Sequence, residues 1–295
     1  MFHYCAYNLS IRSEICLPEF PCASPGNGLE VRFAPAARAT EQRAIEWQET
    51  PWREARFSFP DIGRFLVRAG SEIIITPDPG ADHGVFPLYV QGMMLASALY
   101  QRDFLVLHAS VIDLNGRAIA FMGPVGAGKS TLASTFLARG RGILADDNAA
   151  LELSGEPFHV LPAFPSLKVY PDVARSLGHS DLVLRPMHSS QAKHAQPVNG
   201  AFSVCPLPLK AIYVLDRDAE TAVSELSTLE SVTELIRHSV PTRWGVSGHA
   251  RHLTMCASLA RSVPIFCIRT FSALSEIAGI AERIERHADR HCPLA

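Results

Sequence analysis

The chain has 295 residues, 47% of them hydrophobic and 19% charged, with a formal net charge of -2. That length fits one large domain or two modest ones, and the near-neutral balance gives no basic surface of the kind that binds nucleic acid. Seven cysteines are present, an odd number with no C-x-x-C pair, so free thiols in a reducing cytosol are expected rather than a disulfide frame or a zinc site.

The opening residues, MFHYCAYNLS, hold no basic segment followed by an apolar run, so no signal peptide is expected. No stretch approaches the roughly 18 apolar residues of a membrane helix. A cytoplasmic protein without a membrane partner is expected. Short strand-like runs come first: Leu29 to Phe33, Ala55 to Phe59, Arg64 to Val67 and Ile73 to Thr76. Pro77-Asp78-Pro79-Gly80 is a turn. A helix is predicted from about Pro87 to Gln101, with Pro87 in its first turn. Residues 1–102 therefore read as a small β-rich N-terminal module closing with a helix, and residues 103–295 as a second domain.

Phe104 to Ile112 reads as one apolar strand, followed by a hairpin turn at Asn115-Gly116 and a second strand from Arg117 to Met122. A helix is predicted over Ser130 to Arg139, ended by Gly140 and Gly142. The short strand Ile143-Leu144-Ala145 then runs into Asp146-Asp147. The polar stretch from Arg185 to Asn199 lacks periodicity and reads as a mobile loop. After it come a strand at Ala211 to Leu215, a helix opened by the capping box at Ser227 to Glu230, and a helix near Ala250 to Ala260. A strand at Ile265 to Ile268 and a terminal helix from about Leu274 to His287 complete the chain.

The chemistry lies between the second and third strands of that middle segment. Gly123, Gly128, Lys129 and Ser130 fill the pattern G-x-x-x-x-G-K-[ST], with an extra Gly126. Such a loop turns backbone N–H groups inward around phosphate oxygens, and the following helix adds its positive end. Val125, Ala127 and Thr131 complete the stretch expected to cradle ATP. Lys129 can reach the β- and γ-phosphates, and the Ser130 hydroxyl can bind Mg²⁺. A P-loop enzyme also needs a carboxylate near the metal, at a strand end, which Asp146 and Asp147 offer. If the hairpin folds about Asn115, His108 lies across from the residues that begin the P-loop, where an imidazole could contact phosphate or assist proton transfer. Lys168 and Lys193 are candidates for phosphate or substrate contacts, with Arg185 a weaker one.

An antiparallel strand immediately before the loop is unlike Ras-type and ABC-type P-loop proteins. The chain also lacks N-K-x-D and L-S-G-G-Q. Both absences argue against a GTPase or a transport ATPase.

The run HASVIDLNGRAIAFMGPVGAGKSTLASTFLARGRGILADD, His108 to Asp147, resembles the catalytic core of HPr kinase/phosphorylase and its relatives. The resemblance implies an α/β fold: a P-loop kinase core of the HPr kinase/phosphoenolpyruvate carboxykinase type with a mixed sheet, behind the β-rich module. It implies a serine kinase using ATP and Mg²⁺, with His108 in the active site. It implies that Lys129 and Ser130 bind phosphate and metal, and that the two aspartates supply a base and a metal contact, assigned as Asp146 and Asp147 respectively. It also implies a homo-oligomer.

The E-I-R-G-L-G signature of the bifunctional enzymes is absent; the corresponding region reads LPAFPSLKVYPDVARSLG. The chain looks more like the smaller HPr kinase-related proteins, among them lasso peptide kinases, which phosphorylate the C-terminal serine of a precursor. The expected acceptor is thus a peptide or protein serine. HPr itself, another protein or a small metabolite is the alternative, and a nucleotide-dependent switch or scaffold is the alternative of another class.

Overall fold

The computed structural model describes residues 1–34, 46–48, 54–178, 184–189, 191–217, 222–243, 250–270 and 273–291. Cys292 lies outside them, and the other six cysteines carry free thiols. No helix among the described residues is long and apolar enough to cross a membrane.

The N-terminal strands build one sheet. They are β1 (Phe2–Ala6), β2 (Leu9–Ser13), β3 (Leu29–Phe33), β4 (Glu46–Gln48), β5 (Glu54–Phe59), β6 (Gly63–Arg68) and β7 (Glu72–Pro77), ordered β1-β2-β3-β7-β6-β5-β4. Phe57, Phe65, Val67, Ile73 and Ile75 alternate onto its buried face, as a half-buried sheet requires. The helix expected after it forms in pieces. A 3₁₀ turn (His83–Val85) leads into α1 (Phe86–Tyr89), a π-helical turn (Val90–Met94) and α2 (Leu95–Gln101). The π turn is a departure from the expected single helix, and it redirects the carbonyls of Gln91 and Gly92 toward Asn148.

A larger mixed sheet follows. Its strands are β8 (Leu105–Leu107), β9 (Ser110–Asp113) and β10 (Ala118–Met122), then, past α3 (Lys129–Ala138), β11 (Gly142–Ala145), β12 (Ala149–Glu152) and β13 (His159–Val160). A second small sheet joins β14 (Ser166–Val169) through β16 to β15, with α4 (Pro171–Ser176) following β14, β15 at Arg185–Pro186 and β16 at His194–Pro197. The chain returns to the large sheet as β17 (Leu207–Asp216) and β18 (Ser224–Glu225), crosses α5 (Thr228–Arg237), α6 (Val240–Arg243) and α7 (Ala250–Ser262), and ends with β19 (Ile265–Arg269) and α8 (Ile277–His291).

Two expectations are corrected. Phe104 to Ile112 is not one strand: β8 pairs with β12, whereas β9 pairs with β10 and β11. The chain changes partners at His108, whose N–H donates to the carbonyl of His238 at 2.7 Å instead of to a strand. The stretch 185–199 is not a featureless loop either. Its β16 pairs with β14 in the register Lys168↔Ala195, and it buries Ala195 and Gln196. The buried residues Ala195, Gln196 and Val198 follow no regular period, which leaves no signal in so polar a segment.

The core has two parts. One apolar cluster runs from Tyr7, Leu17 and Phe20 of the first strands to Leu105, Ala149 and Phe164 of the P-loop region. Phe20 stacks on Phe164 with ring centroids 4.4 Å apart. A second cluster packs α3 and α8 against the other face, around Phe121, Phe136 and Tyr213.

Candidate active site

Strand direction brings the chemical groups together. Both β10 and β11 run antiparallel to β9, so they run the same way as each other. Their C-terminal ends open on one edge, where an α/β sheet characteristically binds ligands. The P-loop leaves β10 and the aspartates leave β11.

The loop is held by its backbone and by two neighbours. Gly123 has φ 146°, and a Cβ there would meet the Leu215 carbonyl at 2.6 Å, so only glycine fits. Gly126 and Gly128 also take positive φ. The Thr270 hydroxyl donates to the Ala127 carbonyl at 2.5 Å. Lys129, buried in the loop, donates through Nζ to the carbonyls of Gly123 and Pro124 at 2.8 and 3.1 Å.

Asp146 and Asp147 sit in different surroundings. Asp146 is buried and its carboxylate is committed on both oxygens. Oδ1 accepts from the hydroxyls of Ser110 at 2.6 Å and Ser130 at 3.0 Å, and Oδ2 from the backbone N–H of Lys168 at 2.8 Å. Asp147 has φ 73°, and the N–H of Asn148 donates to the Asp146 carbonyl across it at 3.0 Å. This is a three-residue γ-turn in its strained form. Its carboxylate meets Lys168 Nζ at 2.7 Å and His108 Nδ1 at 3.2 Å. Burial pushes the Asp147 carboxyl up, but Lys168 and His108 outweigh it and hold the group well below the usual carboxylate range. Burial likewise lowers Lys168, and the Asp147 charge reverses that and leaves its pKa raised.

A cavity of about 740 Å³ joins these residues. Val125, Gly126, Gly128, Lys129, Ser130 and Thr131 line it from the loop, and His108, Asp146, Asp147, Lys168 and Lys193 from the other side. Its size suits a nucleotide with room beside it. Lys193 stands 5.5 Å from the Tyr170 ring centroid at the mouth. His108, itself a lining residue, also holds Asp147, whose carbonyl lies 2.9 Å from Nδ1. Arg185 goes elsewhere: it donates to the Pro18 carbonyl at 2.8 Å and lies 3.9 Å from Glu19, lining a separate cavity of about 220 Å³.

Sequence reasoning missed Ser110 and Tyr170. A hydroxyl inside the largely apolar run Leu105 to Ile112 is a usable signal for Ser110, because a buried hydroxyl needs a partner. Tyr170 carried no signal, since α4 and β16 place it only in three dimensions.

No protein-family model matches the chain. Over 121 residues it is 31% identical to an HPr kinase/phosphorylase of Chlorobium phaeovibrioides, a match covering 35% of this chain and 35% of that protein. The chain thus spans about a third of the length of that curated relative. Among solved structures, the HPr(Ser) kinase/phosphatase from Coxiella burnetii superposes with a TM-score of 0.37 at 12% identity, over 63% of this chain and 91% of that one.

Proposed function

We propose that the chain is an ATP-dependent phosphotransferase of HPr kinase-like type, which moves the γ-phosphate of ATP onto a serine hydroxyl of a peptide or protein. One observation carries this reading: a P-loop hydroxyl and two differently held carboxylates share one cavity. A nucleotide switch needs the first but has no use for a second carboxylate paired with a lysine and a histidine.

The distances favour a reversal of the roles first assigned to the aspartates. The Ser130 hydroxyl lies 3.0 Å from Asp146 Oδ1, a pair of hard oxygen donors suited to Mg²⁺. Bound there, the metal ion would neutralise charge on the triphosphate. Asp146 is thus the metal-side carboxylate. Asp147, facing the cavity between Lys168 and His108, receives the acceptor hydroxyl and its proton. Lys168 keeps that carboxylate ionised and offers positive charge to the transferring group. P-loop amides and Lys129 hold the phosphates, so catalysis is mainly positioning and electrostatics.

The 1–102 and 103–295 segments are proposed as an N-terminal module and a catalytic domain. A C-terminal serine of a lasso-type precursor peptide is the acceptor we favour, because the HPr kinase signature is missing from this chain. The test is incubation of the full chain with Mg²⁺, ATP and candidate peptides or HPr, read by intact mass. A gain of one phosphate on a serine is expected. ATP binding with no phosphate on any acceptor would favour the switch.

A further inference from the structure

The strained turn at Asp147 is anchored from outside the P-loop region. Asn148, the next residue, is buried and has partners on two sides. Its side-chain N–H groups donate to the carbonyls of Gln91 and Gly92, at 3.3 and 3.0 Å, in the π turn. Its own carbonyl accepts the hydroxyl of Tyr7 at 3.0 Å. Tyr7 is fully buried at the β1–β2 turn, 141 residues away in sequence. It too has positive φ, at 52°, and its N–H donates to the Pro162 carbonyl at 2.7 Å.

The same module reaches the site a second way. Glu19, with its side chain only 5% exposed, bonds Gln91 of the π turn and adds to the negative surroundings of Lys168. The phenol of Tyr7 is held protonated by burial and then by the charges of Asp147 and Asp146, so it is a permanent donor.

We propose that Tyr7 is a positioning residue for Asp147. Its hydroxyl pins the Asn148 carbonyl, the π-turn carbonyls pin the Asn148 side chain, and the γ-turn between cannot relax. A non-glycine residue at positive φ persists only where its surroundings over-determine it, and Asn148 is where that constraint is applied. The N-terminal sheet is thereby a working part of the site, not an appended module. This rests on Asp147 being the carboxylate that faces the acceptor.

Tyr7→Phe keeps the ring and removes only the hydroxyl. The full-length variant is compared with wild type for Mg·ATP affinity, for ATP hydrolysis with water as acceptor, and for amide hydrogen exchange. The expected result has three parts. Exchange rises about tenfold or more in the 145–149 segment. The ATP Kd stays within about twofold. The hydrolytic kcat falls about tenfold, as small displacements of a reacting group do. Combined with Asp147→Asn, the variant adds no further loss, because both act through one carboxylate. Unchanged exchange at 145–149 would overturn the proposal, as would a loss multiplying that of Asp147→Asn. So would a lower Tm with kcat intact, the result of a merely structural role. A wild type that transfers phosphate to nothing defeats the kinase reading instead, and the clamp is then decided by the exchange rates alone.

Discussion

At the residue scale, the two aspartates show how position decides chemistry. They are neighbours in sequence, yet Asp146 is fixed by three hydrogen bonds whereas Asp147 is held by charge. Asp147→Asn should lower kcat for phosphoryl transfer by about 10² to 10⁴, the usual worth of a positioned base. ATP affinity should be nearly unchanged, which a fluorescent ATP analogue would check. Lys168→Met removes the main cation that lowers the Asp147 carboxyl, so that pKa must rise. The acid limb of the kcat profile then moves to higher pH, and kcat falls; a limb that stays in place would separate Lys168 from Asp147. Stability follows the same sign. A carboxyl depressed in the folded state contributes stability above its unfolded pKa of about 3.9 and loses it as pH falls below that. Lys168→Met should therefore flatten the acid side of a Tm-against-pH curve.

At the element scale, local chemistry was legible and partner choice was not. The Asn115-Gly116 hairpin forms with Asp113 opposite Ala118, because both turn residues take the positive φ that the sequence advertises. The Ser227–Glu230 capping box opens α5 as read. The P-loop, with its strand before and helix after, was equally plain. What composition hid was the exchange of partners at His108, the π turn and strand β16, all set by contacts far away in sequence. The place of Arg185, beside Pro18 and Glu19, is set in the same way. One element carries its own test. Gly123→Ala places a methyl against the Leu215 carbonyl at positive φ, which should cost about 1–3 kcal/mol and distort the phosphate loop. Urea unfolding and ATP titration should both register the change. Gly126→Ala meets no atom within 4 Å and bears only the conformational cost, so it should be the milder of the two.

At the scale of the whole molecule, the boundary near residue 102 is crossed by the core. Tyr7, Leu17 and Phe20 share a cluster with Leu105, Ala149 and Phe164, and Arg185 bonds the Pro18 carbonyl across it. A fragment of residues 103–295 would expose that apolar face to water, at roughly 25 cal/mol per Å². It should be poorly soluble and should lack the single sharp thermal transition expected of the full chain, as calorimetry would report. Retention of a sharp transition and of ATP binding by the fragment would show that the N-terminal sheet is dispensable for folding.

The pose of Lys129 has a consequence for which anions the molecule admits. Its ammonium already has two carbonyl acceptors, those of Gly123 and Pro124, each worth about 1.5–3 kcal/mol as a charged hydrogen bond. An arriving anion must outbid the chain itself. A lone phosphate offers few contacts in exchange, whereas a triphosphate can engage the loop amides along its length while the lysine changes partner. On the proposed function, the loop is thus its own first competitor for Lys129, and that rivalry would favour long anions over short ones.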